Sequence, residues 1–132
     1  MKKSINLFGG LLLLGFLALS SCEQINTDPD TDPRAQYLGS WTCNESGINY
    51  TVTVSLDPSN SSQILINNFH YFGANEKAYA IATQNNLTLP TQSILSNTIH
   101  GSGDLVNNNK ITLKYYVNNQ TDIDTINAVY TK

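Results

Sequence analysis

The chain has 132 residues, a length that fits one domain. Charged residues make up 13% of it, about half the share of roughly 25% in a typical globular protein. This low charge content excludes a long charged helix or a coiled coil. The formal net charge of −3 and the pI of about 5.1 provide no basic surface for phosphates. We therefore expect a single acidic domain with no nucleic-acid partner.

The chain begins with a segment typical of export signals. Lys2 and Lys3 precede an apolar run over residues 5–19, which is too short to span a bilayer, because spanning takes about 20 residues. The following Leu19-Ser20-Ser21-Cys22 resembles the bacterial lipobox. The resemblance implies that residues 1–21 are a lipoprotein signal peptide, removed by cleavage, and that Cys22 carries two or three acyl chains that hold the protein to a membrane. A plain secretory signal with an unmodified cysteine is the alternative.

Residues 22–33 form an acidic, proline-containing segment with one large apolar residue, Ile25. Such a composition favours an extended tether over packed structure. The remainder, residues 34–132, has five basic and six acidic residues and is nearly neutral. Acidic residues after a lipidated cysteine resemble the export signal that places lipoproteins on the outer face of the outer membrane in some Gram-negative bacteria. We expect a lipid anchor in the outer membrane, facing the periplasm or the cell surface; an ordinary linker is the alternative interpretation of the acids.

Residues 34–132 alternate between apolar and polar residues in short runs separated by Gly, Asn, Asp, Pro and Ser clusters, a pattern typical of all-β domains. The pattern predicts a compact eight-stranded antiparallel up-and-down barrel, with a β-sandwich as the alternative. An eight-stranded barrel is just wide enough to be filled by side chains or to hold one small ligand. The predicted strands cover residues 39–44, 49–56, 63–69, 78–83, 87–89, 98–103, 110–117 and 124–131.

Three local features add detail to these strands. Pro90 should end the fifth strand after Leu89, because proline cannot donate to a sheet ladder. Gly101 and Gly103 within the sixth strand indicate a bulge, a sharp bend or a close backbone approach, and favour a coiled corner of the barrel. The adjacent Tyr115 and Tyr116 should face opposite sides of the seventh strand.

Several segments resemble the lipocalins and other calycins. Gly39-Ser40-Trp41 resembles the Gly-x-Trp opening of the first strand, and residues 99–103, 111–117 and 128–132 look like those of small lipocalin-like lipoproteins from Gram-negative bacteria. The resemblance covers nearly all of residues 37–132. It implies a calycin-like barrel and no particular activity, since fold does not determine function. The chain lacks room for a C-terminal helix beside the barrel, which argues against a large lipophilic cavity.

Residues suited to catalysis or metal binding are sparse. A catalytic or zinc site needs clustered partners, and the sequence has two separated histidines, His70 and His100. With Cys22 lipidated, Cys43 has no disulfide partner and is expected to be a small buried hydrophobic residue. We expect no enzyme, no cofactor and no metal site. Three aspartates near turns could form a weak calcium site, although a solvated turn is the simpler interpretation: Asp104, Asp122 and Asp124.

The aromatic residues are the best candidates for ligand contact, with core packing as the alternative for those that point inward. Residues 67–73 (Asn-Asn-Phe-His-Tyr-Phe-Gly) combine aromatic faces with amide groups. We expect a lipid-anchored, non-catalytic module that binds a small hydrophobic ligand or a glycan. The alternative is a protein-interaction module, such as an inhibitor or an accessory subunit of an envelope complex. The candidate ligand-binding residues are Trp41, Phe69, His70, Tyr71, Phe72 and Tyr115.

Overall fold

The computed structural model describes residues 32–132. The predicted signal peptide, the lipobox-like segment with Cys22 and most of the predicted tether lie outside the described residues. Within residues 32–132, none of the helices has the length and apolar character needed to cross a bilayer.

The domain is a closed barrel of eight antiparallel strands in sequence order, with β1 pairing with β8 to complete the wall. This confirms the predicted up-and-down barrel and excludes the β-sandwich. Two short 3-10 helices, Ala35–Tyr37 and Phe69–Tyr71, lie before β1 and after β3. The strands are β1 Gly39–Glu45, β2 Ile48–Leu56, β3 Gln63–Asn67, β4 Lys77–Ala82, β5 Asn86–Ile94, β6 Asn97–Asn107, β7 Lys110–Asn118 and β8 Ile123–Thr131.

The predicted end of the fifth strand at Leu89 is wrong. β5 continues through Pro90 because the register against β6 shifts between Leu89 and Gln92, so a bulge accommodates the proline. On the other side, the Gln92 side chain replaces backbone pairing with β4. Its Oε1 accepts from the Tyr79 amide at 2.8 Å and its Nε2 donates to the Tyr79 carbonyl at 2.8 Å. The third strand also ends earlier than predicted, at Asn67, because Asn68 adopts a left-handed conformation.

Alternating residues of all eight strands point inward and fill the barrel with apolar side chains, as period-2 alternation requires. β7 shows the pattern clearly: Tyr115 is buried, whereas Tyr116 lies on the outer wall, stacked on His100 with ring centroids 5.0 Å apart. The two tyrosines therefore face opposite sides, as predicted. The largest buried side chains include Trp41, Tyr37, Tyr115, Tyr130 and Phe69.

The two glycines of β6 allow a close approach between β6 and β7. A Cβ built on Gly101 would lie 2.5 Å from the Cα and Cβ of Tyr115, and one built on Gly103 would collide with Leu113. The register shift against β7 comes later in β6, between Leu105 and Asn107. The glycines therefore act by close approach, which places the Tyr115 ring inside the barrel.

One end of the barrel, here called the N-terminal end, is closed by residues 32–38. The Arg34 guanidinium donates to the carbonyls of Asn60 and Gln63, both at 3.2 Å, and pairs with Asp32 at 2.6 Å. The Tyr37 hydroxyl donates to the Thr83 carbonyl at 2.9 Å. These contacts attach the segment that precedes β1 to the loops of the barrel.

The opposite end, here called the far end, consists of four connections between strands. They are the β1–β2 turn at 46–47, the β3–β4 connection at 68–76, the β5–β6 turn at 95–96 and the β7–β8 turn at 119–122. Because strands alternate in direction, all four connections lie at the same end. The chain thus enters the barrel at one end and presents these loops at the other.

Candidate functional site

A carboxylate lies inside the far end of the barrel. Glu45 is the last residue of β1. Its side chain points to the same, inward face of the strand as those of Trp41 and Cys43. Its Oε2 accepts hydrogen bonds from the hydroxyls of Tyr50 at 2.6 Å and Tyr115 at 2.7 Å. Its Oε1 lies 2.7 Å from Nδ1 of His70. We call Glu45, Tyr50, His70 and Tyr115 the Glu45 cluster.

The Glu45 cluster stabilises the ionised carboxylate. Burial raises the pKa of Glu45, but the hydrogen bonds from His70, Tyr50 and Tyr115 together lower it by more. The pKa of Glu45 therefore lies below its usual value. Burial and the hydrogen bonds to Glu45 raise the pKa values of Tyr50 and Tyr115 far above the usual value, so both remain neutral donors. The Glu45 carboxylate is therefore held as an anion among three donors.

Cys43 lies near the Glu45 cluster and is fully buried, which confirms the predicted small buried residue. Burial raises its pKa to about 11. A thiol needs to ionise to act as a nucleophile, so Cys43 is inert at neutral pH. The neighbouring buried Tyr130 also has a pKa raised well above its usual value, first by burial.

Residues 68–73 form the wall of the far end beside the cluster. Asn68, His70 and Tyr71 all have positive φ, between 54° and 59°. Residues other than glycine adopt this backbone conformation at a cost in free energy. The Asn68 amide fixes the loop by donating to the Thr51 carbonyl at 2.9 Å and accepting from the Gly73 amide at 3.1 Å. His70 is fixed from inside by Glu45.

The structure brings together five of the six residues predicted to contact a ligand. Phe69 is buried against the ring of Tyr115, with centroids 4.7 Å apart, and His70 lies edge-on to Phe72 at 4.9 Å. Tyr71 is exposed. These five residues belong to the far end.

Trp41, the sixth predicted residue, lies apart from the other five. Its indole nitrogen donates to the Tyr37 carbonyl at 2.7 Å, at the N-terminal end. The Lys132 ammonium lies 4.2 Å from the centre of its ring. Trp41 is almost completely buried, so it contributes to the core of that end.

Each of the four far-end connections carries, within it or directly after it, one large apolar side chain that is more than half exposed. We call these four residues the far-end rim. They are Ile48 at 62% exposed, Tyr71 at 69%, Leu95 at 56% and Ile123 at 65%.

Two residues of the far-end rim also have an unfavourable backbone conformation. Tyr71 has φ of 58° and Leu95 has φ of 47°. Leu95 and Ser96 form a two-residue hairpin turn in which both φ values are positive, a geometry that favours Asn-Gly. Neither burial nor backbone preference explains a leucine there. Strained residues that serve neither packing nor turn formation point to function.

Clefts of about 450, 610 and 640 Å³ lie elsewhere on the surface. Two adjoin the N-terminal end, around Gln36 and Asn60, and the third lies on the outer wall of β6 to β8. Within residues 32–132, no three His, Cys, Asp or Glu side chains are grouped so that they could hold a metal ion. Asp104 accepts from the Asn86 amide at 2.7 Å, and Asp122 and Asp124 are exposed.

By its fold, the protein is a closed, up-and-down eight-stranded β-barrel with a filled interior and an apolar far-end rim. A scan against protein-family models finds no match to this chain, and a search of curated proteins finds no similar sequence.

Sequence reasoning missed Glu45 and Tyr50 as parts of the site. A signal was present, because Glu45 stands two residues after Cys43 and four after Trp41, in the inward phase of β1. A charged residue in that phase needs a buried partner. Tyr50 lies 5 residues away in the same hairpin, whereas His70 and Tyr115 lie 25 and 70 residues away, so identifying these two requires the folded barrel.

Proposed function

We propose that the protein is a lipid-anchored envelope lipoprotein whose lipocalin-like barrel is a non-catalytic binding module that contacts a partner protein through its far end. The single observation that carries this proposal is the far-end rim, in which all four connections at one end present an exposed apolar residue. Isolated exposed apolar residues are ordinary, whereas their grouping on one surface marks an interaction site.

The filled interior favours a surface partner over an enclosed small ligand. The inward positions of the strands are occupied by side chains of the barrel itself, with Trp41 and Tyr115 among the largest. A carrier for a small hydrophobic molecule needs a concave apolar pocket instead.

The charge of the far end favours a protein over an anionic lipid surface. Asp122 and Asp124 flank the rim residue Ile123, and Glu76 is balanced by one basic neighbour, Lys77. Negatively charged lipid headgroups attract basic segments, so these acids would oppose them. An apolar rim with an acidic border fits a protein surface that combines apolar side chains with Lys or Arg.

The position of the chain's entry supports this arrangement. Asp32 and Arg34 attach the chain to the N-terminal end, so an anchor on Cys22 would hold that end towards the membrane. The far end would then face away from the membrane, towards a partner. The lipocalin-like assignment is supported by the up-and-down strand order and by Gly39 to Trp41 at the start of β1.

A glycan is the second candidate partner, favoured by one observation. The Tyr71 ring is 69% exposed and packs on Tyr50 with centroids 5.3 Å apart, so it offers a supported flat face for a sugar ring. The amides of Asn67 and Asn68, however, are engaged with backbone groups of the loop and of β2 and are not directed at a ligand. The protein partner is therefore the better supported.

The experiment compares two full-length variants in the native envelope. One carries I48S, Y71S, L95S and I123S at the far end, and the matched control carries L56S and V106S, which replace exposed apolar residues near the N-terminal end. Mild cross-linking followed by affinity capture should yield a partner with wild type and the control, and lose it with the rim variant. Equal capture by both variants would refute the proposal. Saturable binding of the wild type to a glycan array, lost in Y71S alone, would favour the glycan instead.

The lipid anchor is tested separately with Cys22→Ala. We expect this variant to leave the membrane fraction, while its barrel unfolds at the same denaturant concentration as wild type. A variant that remains in detergent-free membranes would contradict the lipoprotein proposal.

A further inference from the structure

The loop that carries Tyr71 has no extended backbone pairing of its own. Its internal backbone hydrogen bonds include three single-turn bonds: Tyr71 amide to Asn68 carbonyl at 3.2 Å, Phe72 amide to Phe69 carbonyl at 3.0 Å and Glu76 amide to Gly73 carbonyl at 3.0 Å. A fourth bond, from the Asn68 amide to the Glu76 carbonyl at 2.9 Å, joins the two ends of the loop. Three of its residues other than glycine have positive φ, as does Gly73. A strained segment persists only when surrounding contacts determine it.

Glu45 joins the middle of this loop to the barrel wall, in addition to the hydrogen bond that joins Asn68 to Thr51 of β2. Its Oε1 lies 2.7 Å from Nδ1 of His70, in the middle of the loop. The hydroxyls of Tyr50 on β2 and Tyr115 on β7 occupy Oε2. An ionised carboxylate only accepts hydrogen bonds, so we assign the hydrogen of the contact with Glu45 to Nδ1 of His70, which also lies 2.9 Å from the Tyr115 hydroxyl. One carboxylate therefore connects β1, β2, β7 and the loop.

We propose that Glu45 is the positioning residue of the far-end binding face: its ionised carboxylate holds His70, and thereby sets the position of Tyr71. The carboxylate does not itself contact a partner, because both of its oxygens are occupied within the barrel. Protonation would remove an acceptor from a group of donors and release His70. The proposal goes beyond the proposed function and depends on it only for the consequence on partner binding.

The groups around Glu45 give the pH dependence its direction. The titratable groups that face it are His70 from the loop, Tyr50 from β2, Tyr115 from β7, and Cys43 and Tyr130 nearby. A carboxyl whose pKa is lowered in the folded state stabilises that state at pH above the ordinary value, near 4.5, and loses this effect as the pH falls through the lowered value. The loop should therefore be ordered at neutral pH and released in acid.

The test is hydrogen exchange of the full-length chain in detergent, without any partner, at pH 7 and at several values below 4.5. Protection factors are compared for the amides of Tyr71 to Gly73, which bond within the loop. In E45Q we expect their protection at pH 7 to fall by about ten- to a hundredfold, the effect of losing a hydrogen bond to a charged group. Wild type should approach the E45Q values as the pH falls, and E45Q should show little further change.

The matched control is D124N, which removes an exposed charge from the same end without touching the cluster. H70N is a second variant that keeps a residue tolerant of positive φ but is too short to reach Glu45, and it serves if E45Q does not fold. Wild-type protection in both E45Q and H70N, or an acid response that survives in E45Q, would overturn the proposal. Loosening in E45Q with unchanged partner capture would leave Glu45 as the positioning residue and overturn the role of Tyr71 in the proposed function.

Discussion

The two ends of the barrel are built in different ways. At the N-terminal end, Arg34 and Tyr37 donate to backbone carbonyls of the loops, and Lys132 covers the ring of Trp41 and donates to the Leu38 carbonyl. At the far end, a largely buried carboxylate contacts a loop with several positive φ values, and apolar side chains are exposed.

This difference indicates that the N-terminal end serves stability, whereas the far end exposes residues for binding. Apart from Asp32, which pairs with Arg34, the acceptors at the N-terminal end are backbone carbonyls, and these do not titrate. The bonds to the carbonyls should therefore persist over a wide pH range. The far end places a carboxylate and a histidine inside and strained apolar residues outside, neither of which maximises stability. Such a distribution is typical of sites whose features serve binding.

The largest effect should come from removing Trp41. Trp41→Ala deletes the indole packing at the N-terminal end and should lower the free energy of unfolding by about 3 to 5 kcal/mol. Denaturant unfolding measures this. The control is Tyr116→Ala, since Tyr116 lies on the outer wall and should cost less. An unchanged midpoint for Trp41→Ala would mean that the ring does not contribute to the core.

A smaller effect, directed at the far end, should follow from Gly101→Ala. The new Cβ would lie 2.5 Å from the Cα of Tyr115, so β7 must shift and move Tyr115 away from Glu45. We expect a loss of about 1 to 3 kcal/mol, as for overpacked cores. Ser102→Ala, on the exposed face of the same strand, is the control. If Gly101→Ala unfolds like wild type, the close approach of β6 and β7 is not required.

The smallest expected effect is an increase in the free energy of unfolding. Leu95→Asn places a residue that tolerates positive φ in the two-residue turn and should stabilise the barrel by about 0.5 to 1 kcal/mol. The same variant should weaken capture of the partner, because it removes one residue of the far-end rim. Thermal unfolding and capture are measured on one preparation. A destabilised Leu95→Asn would show that Leu95 serves packing.

The barrel could be predicted because the sequence patterns that specify it lie within single strands and turns. Alternation marks each strand, and short polar turns restrict the connections to neighbours, so eight strands and their order follow from the sequence. Pro90 misled the prediction because proline normally ends a ladder, while the compensating Gln92 side chain bonds to a different strand. That contact depends on tertiary structure and leaves no local signal.

The far end could be predicted only in part. The aromatic and amide residues of 67–73 drew attention to the correct connection. Their amides, however, build the loop, and Trp41 belongs to the other end. The Glu45 cluster joins four elements, and the exposure of the rim residues depends on which connections share an end of the closed barrel.

Site-specific photocross-linking in the native envelope can show whether the far end contacts the partner. A photoreactive amino acid is placed singly at positions 71, 95 and 123 of the far end, and at positions 56 and 106 near the N-terminal end. We expect the same partner to be cross-linked from all three far-end positions and from neither of the other two. Cross-linking of one partner from 56 and 106 alone, or equally from both ends, would contradict the proposal.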